Sequence, residues 1–274
     1  MGALNVIQKT LERLPIRGKG RLADLILLAV KPEELECHPL RDVTVFLKPS
    51  QRIERLMWAG AYERDLVEMF KAILKPGMTV LDVGANIGYF SAIAAGLVGT
   101  EGSVHSFEPV PQCFARLQRN LSNSRTARAY SYAVGNATGS ATIHFNEREL
   151  GWSSLLSNFD LDSTIEVKLI TLDAWTQQEQ IRKIDLIKLD AEGLEYRVLL
   201  GAKRVLRDFR PVIAAELNSE CLKRDRRTPE DILHLLQSAE YRVFSFNQGV
   251  LAVPIEHSPH LPELRKYMQT PFPG

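Results

Sequence analysis

Four carboxylates stand at or near the ends of apolar runs in this chain. They are Asp82 in Thr79-Val80-Leu81-Asp82-Val83, Glu108 after Val104-His105-Ser106-Phe107, Asp190 after Ile184-Asp185-Leu186-Ile187-Lys188-Leu189, and Glu216 in Pro211-Val212-Ile213-Ala214-Ala215-Glu216. Each run reads as a short strand buried on both faces. Open α/β sheets bind ligands beyond the carboxyl ends of their strands. Four acids so placed are hard to explain as packing, because an unpaired buried carboxylate is costly. At a sheet end they can hold a cation, accept hydrogen bonds from hydroxyls, or take a proton from a reacting group.

The first acid leads into Gly84-Ala85-Asn86-Ile87-Gly88, and Tyr89 to Ala95 is helix-compatible. Gly84 and Gly88 sit where the backbone must turn sharply and approach something closely. Strand, glycine turn, helix, strand and acid is the layout of a nucleotide-binding βαβ unit, with Glu108 placed to receive ribose hydroxyls. Dinucleotides and S-adenosylmethionine both use it. A dinucleotide site clusters three glycines to admit a pyrophosphate at the helix N-terminus. Here the pattern is Asp-x-Gly-x-Asn-x-Gly, and the fixed negative charge of Asp82 would repel a pyrophosphate. It suits a ligand with an ammonium, a sulfonium and no phosphate, which favours S-adenosylmethionine. A nicotinamide-dependent oxidoreductase and an α/β domain whose turn binds nothing stay as alternatives.

The elements around these residues alternate. Residues 1–31 read as two helices, with Val6, Ile7, Leu11 and Leu14 on one face of the first and Leu22, Leu25, Ile26, Leu28 and Ala29 on the apolar face of the second. Val43 to Leu47 reads as a strand, and Tyr62 to Leu74 as an amphipathic helix. Glu63, just before or at the start of that helix, is read as a dipole partner, with a reach to the cofactor's charged end as the alternative. Pro111 to Leu121 is a helix, Ala127 to Val134 a third strand, and Ser140–Phe145 with Ile165–Ile170 a strand pair. The polar connection 147–163 between them carries Trp152, Ser153 and Ser154 and suits an acceptor-facing loop. Thr171 or Asp173 caps the next helix, and Leu194 to Leu206 forms another. Thr228-Pro229 starts a helix running to about Glu240, and Tyr241–Phe246 and Val250–Val253 close the sheet. This is a doubly wound, mostly parallel α/β sheet. The division expected is an N-terminal extension, 1–57, and a ligand-binding domain, 58–274.

Composition excludes several classes. The 274 residues carry 34 Lys and Arg against 33 Asp and Glu, a formal charge of +1, which gives no electrostatic footprint for nucleic acid. Cys37, Cys113 and Cys221 are far apart, so neither a disulfide framework nor a zinc site is indicated. The longest apolar run, Leu22 to Val30, is far below the roughly 20 residues of a membrane span. A cytoplasmic protein is expected, and surface attachment to a membrane stays open. His144 and His257 are isolated, and His105 is read as facing the core.

Asp82-Val83-Gly84-Ala85-Asn86-Ile87-Gly88-Tyr89-Phe90, Phe107-Glu108-Pro109, Thr171-Leu172-Asp173 and Ile187-Lys188-Leu189-Asp190-Ala191-Glu192-Gly193 occur in that order. Together they resemble the FkbM-type S-adenosylmethionine-dependent methyltransferases over roughly residues 60–220. Ala191 departs from the valine frequent in the family, a change of packing rather than chemistry. The resemblance implies a class I methyltransferase (Rossmann-like) fold of seven strands, the last antiparallel, and O-methylation of a sugar, glycan or natural-product hydroxyl. It implies that Gly84, Ala85, Asn86 and Gly88, beside Asp82, wrap the methionine part of S-adenosylmethionine. Glu108 then holds the ribose, and Ala133 and Val134 bound the adenine. Asp190 lies beside the reactive methyl and is the first choice of base, with Glu192 and Glu216 next. Trp152, Ser153 and Ser154 would contact the acceptor. A divalent cation between Asp190 and Glu216 is a rival mechanism, although no metal site is indicated. A cofactor-binding scaffold without activity is the alternative function.

Overall fold

The computed structural model describes residues 2–13, 18–145, 153–154 and 163–257, with Leu264 and Tyr267. The extension consists of α1 (Gly2–Arg13), α2 (Lys19–Val30), the antiparallel hairpin β1 (Leu35–Leu40) and β2 (Val43–Leu47), and α3 (Arg52–Trp58). Then follow α4 (Arg64–Ile73), β3 (Thr79–Val83), α5 (Tyr89–Val98), β4 (Ser103–Phe107), α6 (Pro111–Leu121) and β5 (Ala127–Tyr130). A side sheet is made of β6 (Ala133–Val134), β7 (Gly139–Phe145), β8 (Ser153–Ser154) and β9 (Ser163–Ile170). The chain ends with α7 (Leu172–Gln178), β10 (Leu186–Leu189), α8 (Glu195–Leu200), α9 (Lys203–Asp208), β11 (Val212–Glu216), α10 (Ser219–Arg224), α11 (Pro229–Ser238), β12 (Tyr241–Phe246) and β13 (Gly249–Pro254).

The main sheet has seven strands in the order β12-β13-β11-β10-β3-β4-β5. The inner neighbours are parallel, and β13, last in the chain, is antiparallel to both β11 and β12. This is the arrangement that the resemblance implies. The order reverses between β3 and β10, where the chain leaves one half of the sheet and returns to the other. Such a switch point opens a crevice beyond the strand ends. Asp82, Asp190 and the turn after β3 all sit at that crevice by register, since Lys188 pairs with Asp82 and Leu189 with Val83.

The structure revises several sequence readings. The stretch read as one strand over Ala127–Val134 is two: β5 pairs with β4, whereas β6 leaves for the side sheet and pairs with β9. The helix expected over Leu194–Leu206 breaks at Gly201, whose Cβ would lie 2.0 Å from the Gly135 carbonyl oxygen. Thr171 caps α7, its Oγ1 accepting from Ala174 N at 3.0 Å, but Asp173 caps α9, accepting from Arg204 N and Val205 N at 2.9 Å each. The face assigned to α2 is also revised: the helix buries Lys19, Ala23 and Leu27 and exposes Leu22, Leu25 and Leu28. The extension shares a hydrophobic core with the sheet, since Leu11, Leu27 and Cys37 belong to the same buried cluster as Ile93 and Val104. Cys37, Cys113 and Cys221 are buried and form no disulfide.

Candidate active site

The turn after β3 is held by local chemistry. Gly84 has φ +76°, and a Cβ there would lie 1.8 Å from the Asp190 carbonyl oxygen. Only glycine lets this turn touch the turn after β10. Gly88, at φ +86°, lies against the side chain of Leu117 of α6, and its left-handed backbone favours glycine. Asn86 lies in the left-handed region at φ +50°, and its N–H donates to Glu108 Oε2 at 2.9 Å. Val110 N donates to the other oxygen at 2.9 Å. Glu108 thus staples the first turn to the second strand. A carboxylate has about four acceptor sites, so two remain for ligand hydroxyls.

A pocket beyond the strand ends joins the two halves of the site. Gly84, Glu108, Ala133, Val134, Asp190 and Glu192 all line it, with Phe107, Tyr132 and Ile143 supplying apolar wall. Ala85, Asn86 and Gly88 lie in the turn behind Gly84. Glu216, at the end of β11, acts on Asp190 and Glu192 electrostatically. Asp82 is 2% exposed: Ser91 Oγ donates to its Oδ2 at 2.6 Å, and Lys188 Nζ lies 3.5 Å from Oδ1. Its charge reaches the crevice without its side chain lining the pocket. Ser153 and Ser154 form β8, paired with Phe145 and His144, which continues the strand that supplies Ile143. Trp152 lies outside the described residues.

Sequence reasoning gave Lys188 no role, yet it sits at the centre of the acid cluster. It is 5% exposed, in the middle of β10. Its Nζ lies 3.2 Å from Asp190 Oδ2, 3.5 Å from Asp82 Oδ1 and 5.4 Å from the centre of the Phe90 ring. Burial alone would push its pKa down, but the charges of Asp190, Asp82 and Glu63 outweigh burial and push it up. A lysine inside an aliphatic strand was the available signal, because buried lysines need partners. Glu63 is also revised. It precedes α4 at φ +36° but makes no side-chain cap; instead it is half-buried, takes a hydrogen bond from Tyr62 and faces Lys188 and Asp190.

Glu195 is a further residue that sequence reasoning passed over. It is 2% exposed, and its Oε1 accepts from Ala191 N at 2.9 Å and Gly193 N at 3.2 Å. These bonds brace the turn that carries Asp190 and Glu192. Replacing Glu195 with Ala orphans two amides and is expected to cost about 2 kcal/mol. Glu195→Gln keeps an accepting oxygen and is expected to cost much less. Urea unfolding at neutral pH compares the two.

Acids outnumber cations around this crevice, and their pKa values respond. Burial pushes Glu108 and Glu195 from 4.5 up to about 7, against the pull of their backbone hydrogen bonds. Burial and the charge of Asp190 also push Glu192 and Glu216 up. A buried carboxyl with a raised folded pKa keeps a proton that the unfolded chain releases. Its stabilising contribution is complete below 4.5 and is lost as pH rises through about 7. His105 works in the opposite sense: burial lowers it from 6.5 to about 4, so it favours the folded state as pH rises across that interval. Four acids against one imidazole give a cofactor-free protein whose urea midpoint falls between about pH 6 and about pH 8.

Residues 82–243 match the family described as Methyltransferase FkbM domain. The chain belongs to that family. It is an S-adenosylmethionine-dependent methyltransferase by family, and the turns after β3, β4 and β10 all fall within the matched span. It is 29% identical over 191 residues to 2-O-methyltransferase NoeI of Sinorhizobium fredii, covering 64% of this chain and 77% of NoeI. It is 25% identical over 178 residues to hexuronic acid methyltransferase AglP of Haloferax volcanii, covering 65% and 69%. The 31-O-demethyl-FK506 methyltransferase FkbM of Streptomyces tacrolimicus is 31% identical over 160 residues, covering 47% and 61%. Among solved structures, the methyltransferase FkbM from Methylobacillus flagellatus aligns at TM-score 0.43 and 16% identity, covering 73% of this chain and 53% of that one.

The residues present fit S-adenosylmethionine. Glu108 has acceptor capacity for hydroxyls, Ala133 and Val134 give an apolar wall, and the surplus of acids suits a cationic ligand. Among the described residues, no three His, Cys, Asp or Glu side chains are grouped to hold a metal. No helix among them is long and apolar enough to cross a membrane.

Proposed function

We propose that this protein transfers a methyl group to a hydroxyl of a sugar, glycan or natural product. The observation that carries the reading is the single pocket joining Gly84 and Glu108 on the cofactor side to Asp190 and Glu192 on the other. The names of NoeI, AglP and FkbM support hydroxylated acceptors. The even charge balance favours a small-molecule or glycan partner over nucleic acid. We assign the protein to the cytoplasm on its cysteine usage. We keep 1–57 as an extension of the catalytic unit 58–274.

S-adenosylmethionine supplies an electrophilic methyl on a sulfonium when bound. Glu108 would receive the ribose hydroxyls, Ala133 and Val134 would flank the base, and the turn from Gly84 to Gly88 would hold the amino-acid end. Asp190 takes the acceptor's proton as its oxygen attacks. Lys188 holds one Asp190 oxygen and leaves the other for the acceptor. Glu192 already has one oxygen on Cys221 and Glu216 is not among the residues that line the pocket, so both stand behind Asp190. Most of the rate gain comes from holding the hydroxyl in line with the transferred methyl.

Calorimetric titration with S-adenosylhomocysteine, and with NAD as control, tests the cofactor assignment. Binding of the first and not the second is expected; binding of NAD alone reverses it. Turnover with a panel of sugar acceptors then separates an enzyme from an inactive binder. Repeating that assay with EDTA decides whether a divalent cation bridges Asp190 and Glu216.

A further inference from the structure

Seven large hydrophobic side chains are exposed among the described residues, and six lie in the extension: Val6, Leu22, Leu25, Leu28, Val30 and Ile53. Four of the six belong to α2. That helix packs against α3 so closely that a Cβ on Gly20 would lie 2.4 Å from Leu56 Cδ2. Its inner side is Ala23 and Leu27, with the stem of Lys19. At 100° per residue, Leu22, Leu25, Leu28 and Ala29 fall on the opposite side. Leu25 is 68% and Leu28 62% exposed. A helix apolar on both sides is ordinarily covered on both.

We propose that the outer face of α2 docks on an anionic lipid bilayer surface. Charge selects this occupant. Residues 1–31 carry Lys9, Arg13, Arg17, Lys19, Arg21 and Lys31 against Glu12 and Asp24, within a chain of formal charge +1. Asp24 is neutralised by Arg55 at 2.5 Å, and Glu34, just beyond the helix, by Arg119 at 2.5 Å. Lys9, Arg21 and Lys31 are exposed, and the acids Glu33 and Glu34 just after the helix are exposed too. Exposed leucines with Arg21 among them and Lys31 at the helix end suit a helix that lies in the interface of an anionic membrane. A second copy is disfavoured, because a two-fold contact sets the same patch on itself and brings these cations together. The 12 residues of α2 span about 18 Å, a length that lies along the bilayer plane rather than across it.

The test uses the whole chain and sucrose-loaded vesicles. One set is phosphatidylcholine alone, and the other contains equal parts phosphatidylglycerol. Each basic side chain near an anionic leaflet raises partitioning by roughly fivefold, so Arg21, Lys31 and Lys9 are expected to give at least about tenfold tighter binding to the anionic set after screening. High salt abolishes the difference. The double variant Leu25→Gln/Leu28→Gln, and separately Arg21→Glu, lose most of the binding; all three side chains are exposed, and circular dichroism checks the fold. Equal partitioning to both vesicle sets overturns the proposal, as does full binding by the double variant. A wild-type dimer in sedimentation that the double variant dissociates, with no vesicle binding, assigns the face to a second copy and also overturns it. The outcome is independent of whether the protein binds S-adenosylhomocysteine.

Discussion

Asp190→Asn is expected to lower kcat by a factor on the order of 100 to 10,000 while S-adenosylhomocysteine binds within a few-fold of wild type. Three acids were open for the role of base, and the geometry ranks them. Asp190 lines the pocket with its side chain 22% exposed, and Lys188 occupies only its Oδ2. Glu192 lines the same pocket, but its Oε2 accepts from Cys221 Sγ at 3.7 Å. Glu216 is not among the residues that line it. Asparagine preserves the shape of Asp190 and cannot take a proton. The distinguishing readout is acceptor acidity. An acceptor with an acidic hydroxyl sheds its proton without help, so the variant loses far less activity towards it. Normal turnover with an ordinary alcohol would remove Asp190 from the mechanism. A uniform loss across acceptors of all acidities would make it a positioning group instead.

The part of the site made by local chemistry was legible from sequence. Gly84, Gly88 and Glu108 announce themselves because a tight turn and a strand-end acid need particular residue types at short spacing. What was not legible depends on partners distant in the chain. Lys188 is explained by Asp82, which lies opposite it only because β10 pairs with β3. Nothing near Tyr130 in sequence says that the chain changes sheets before Ala133, because the reason is the pairing with β9. Asp173 reads as a cap for its own helix, but it caps the backbone at Arg204 and Val205. On α2, apolar residues on both sides of the helix give periodicity no means to choose the buried face. Close packing on α3 favours the small residues Gly20 and Ala23, and the bulkier leucines are left outside. Glu63 illustrates the same limit: a carboxylate at a helix start looks like a dipole partner until the fold brings it to Lys188.

Lys188→Met is expected to destabilise the protein by about 3–5 kcal/mol, a large part of the total for a domain of this size. Methionine matches the length of the lysine stem and fills the same space, so the loss reports charge rather than a cavity. The side chains of Lys188 and Asp82 are 6% and 2% exposed, so water cannot replace the lost ammonium. Asp82 retains Ser91 on one oxygen, while the other has no hydrogen-bond partner even in the wild type. Asp190 and Glu63 also lose the charge that opposed them. Two measurements separate this account from a packing defect. Acidification should shrink the deficit, because the orphaned acids take up protons that the paired ones do not. Adding Asp82→Asn to Lys188→Met should recover part of the loss, since the two changes act within one network and are not additive. A deficit unchanged by both would mean that the methionine packs badly and that the ion cluster contributes little. If both recoveries appear, the lysine is the group that lets this crevice gather its acids at all. The surplus of negative charge that suits a cationic ligand then depends on one side chain in the middle of β10.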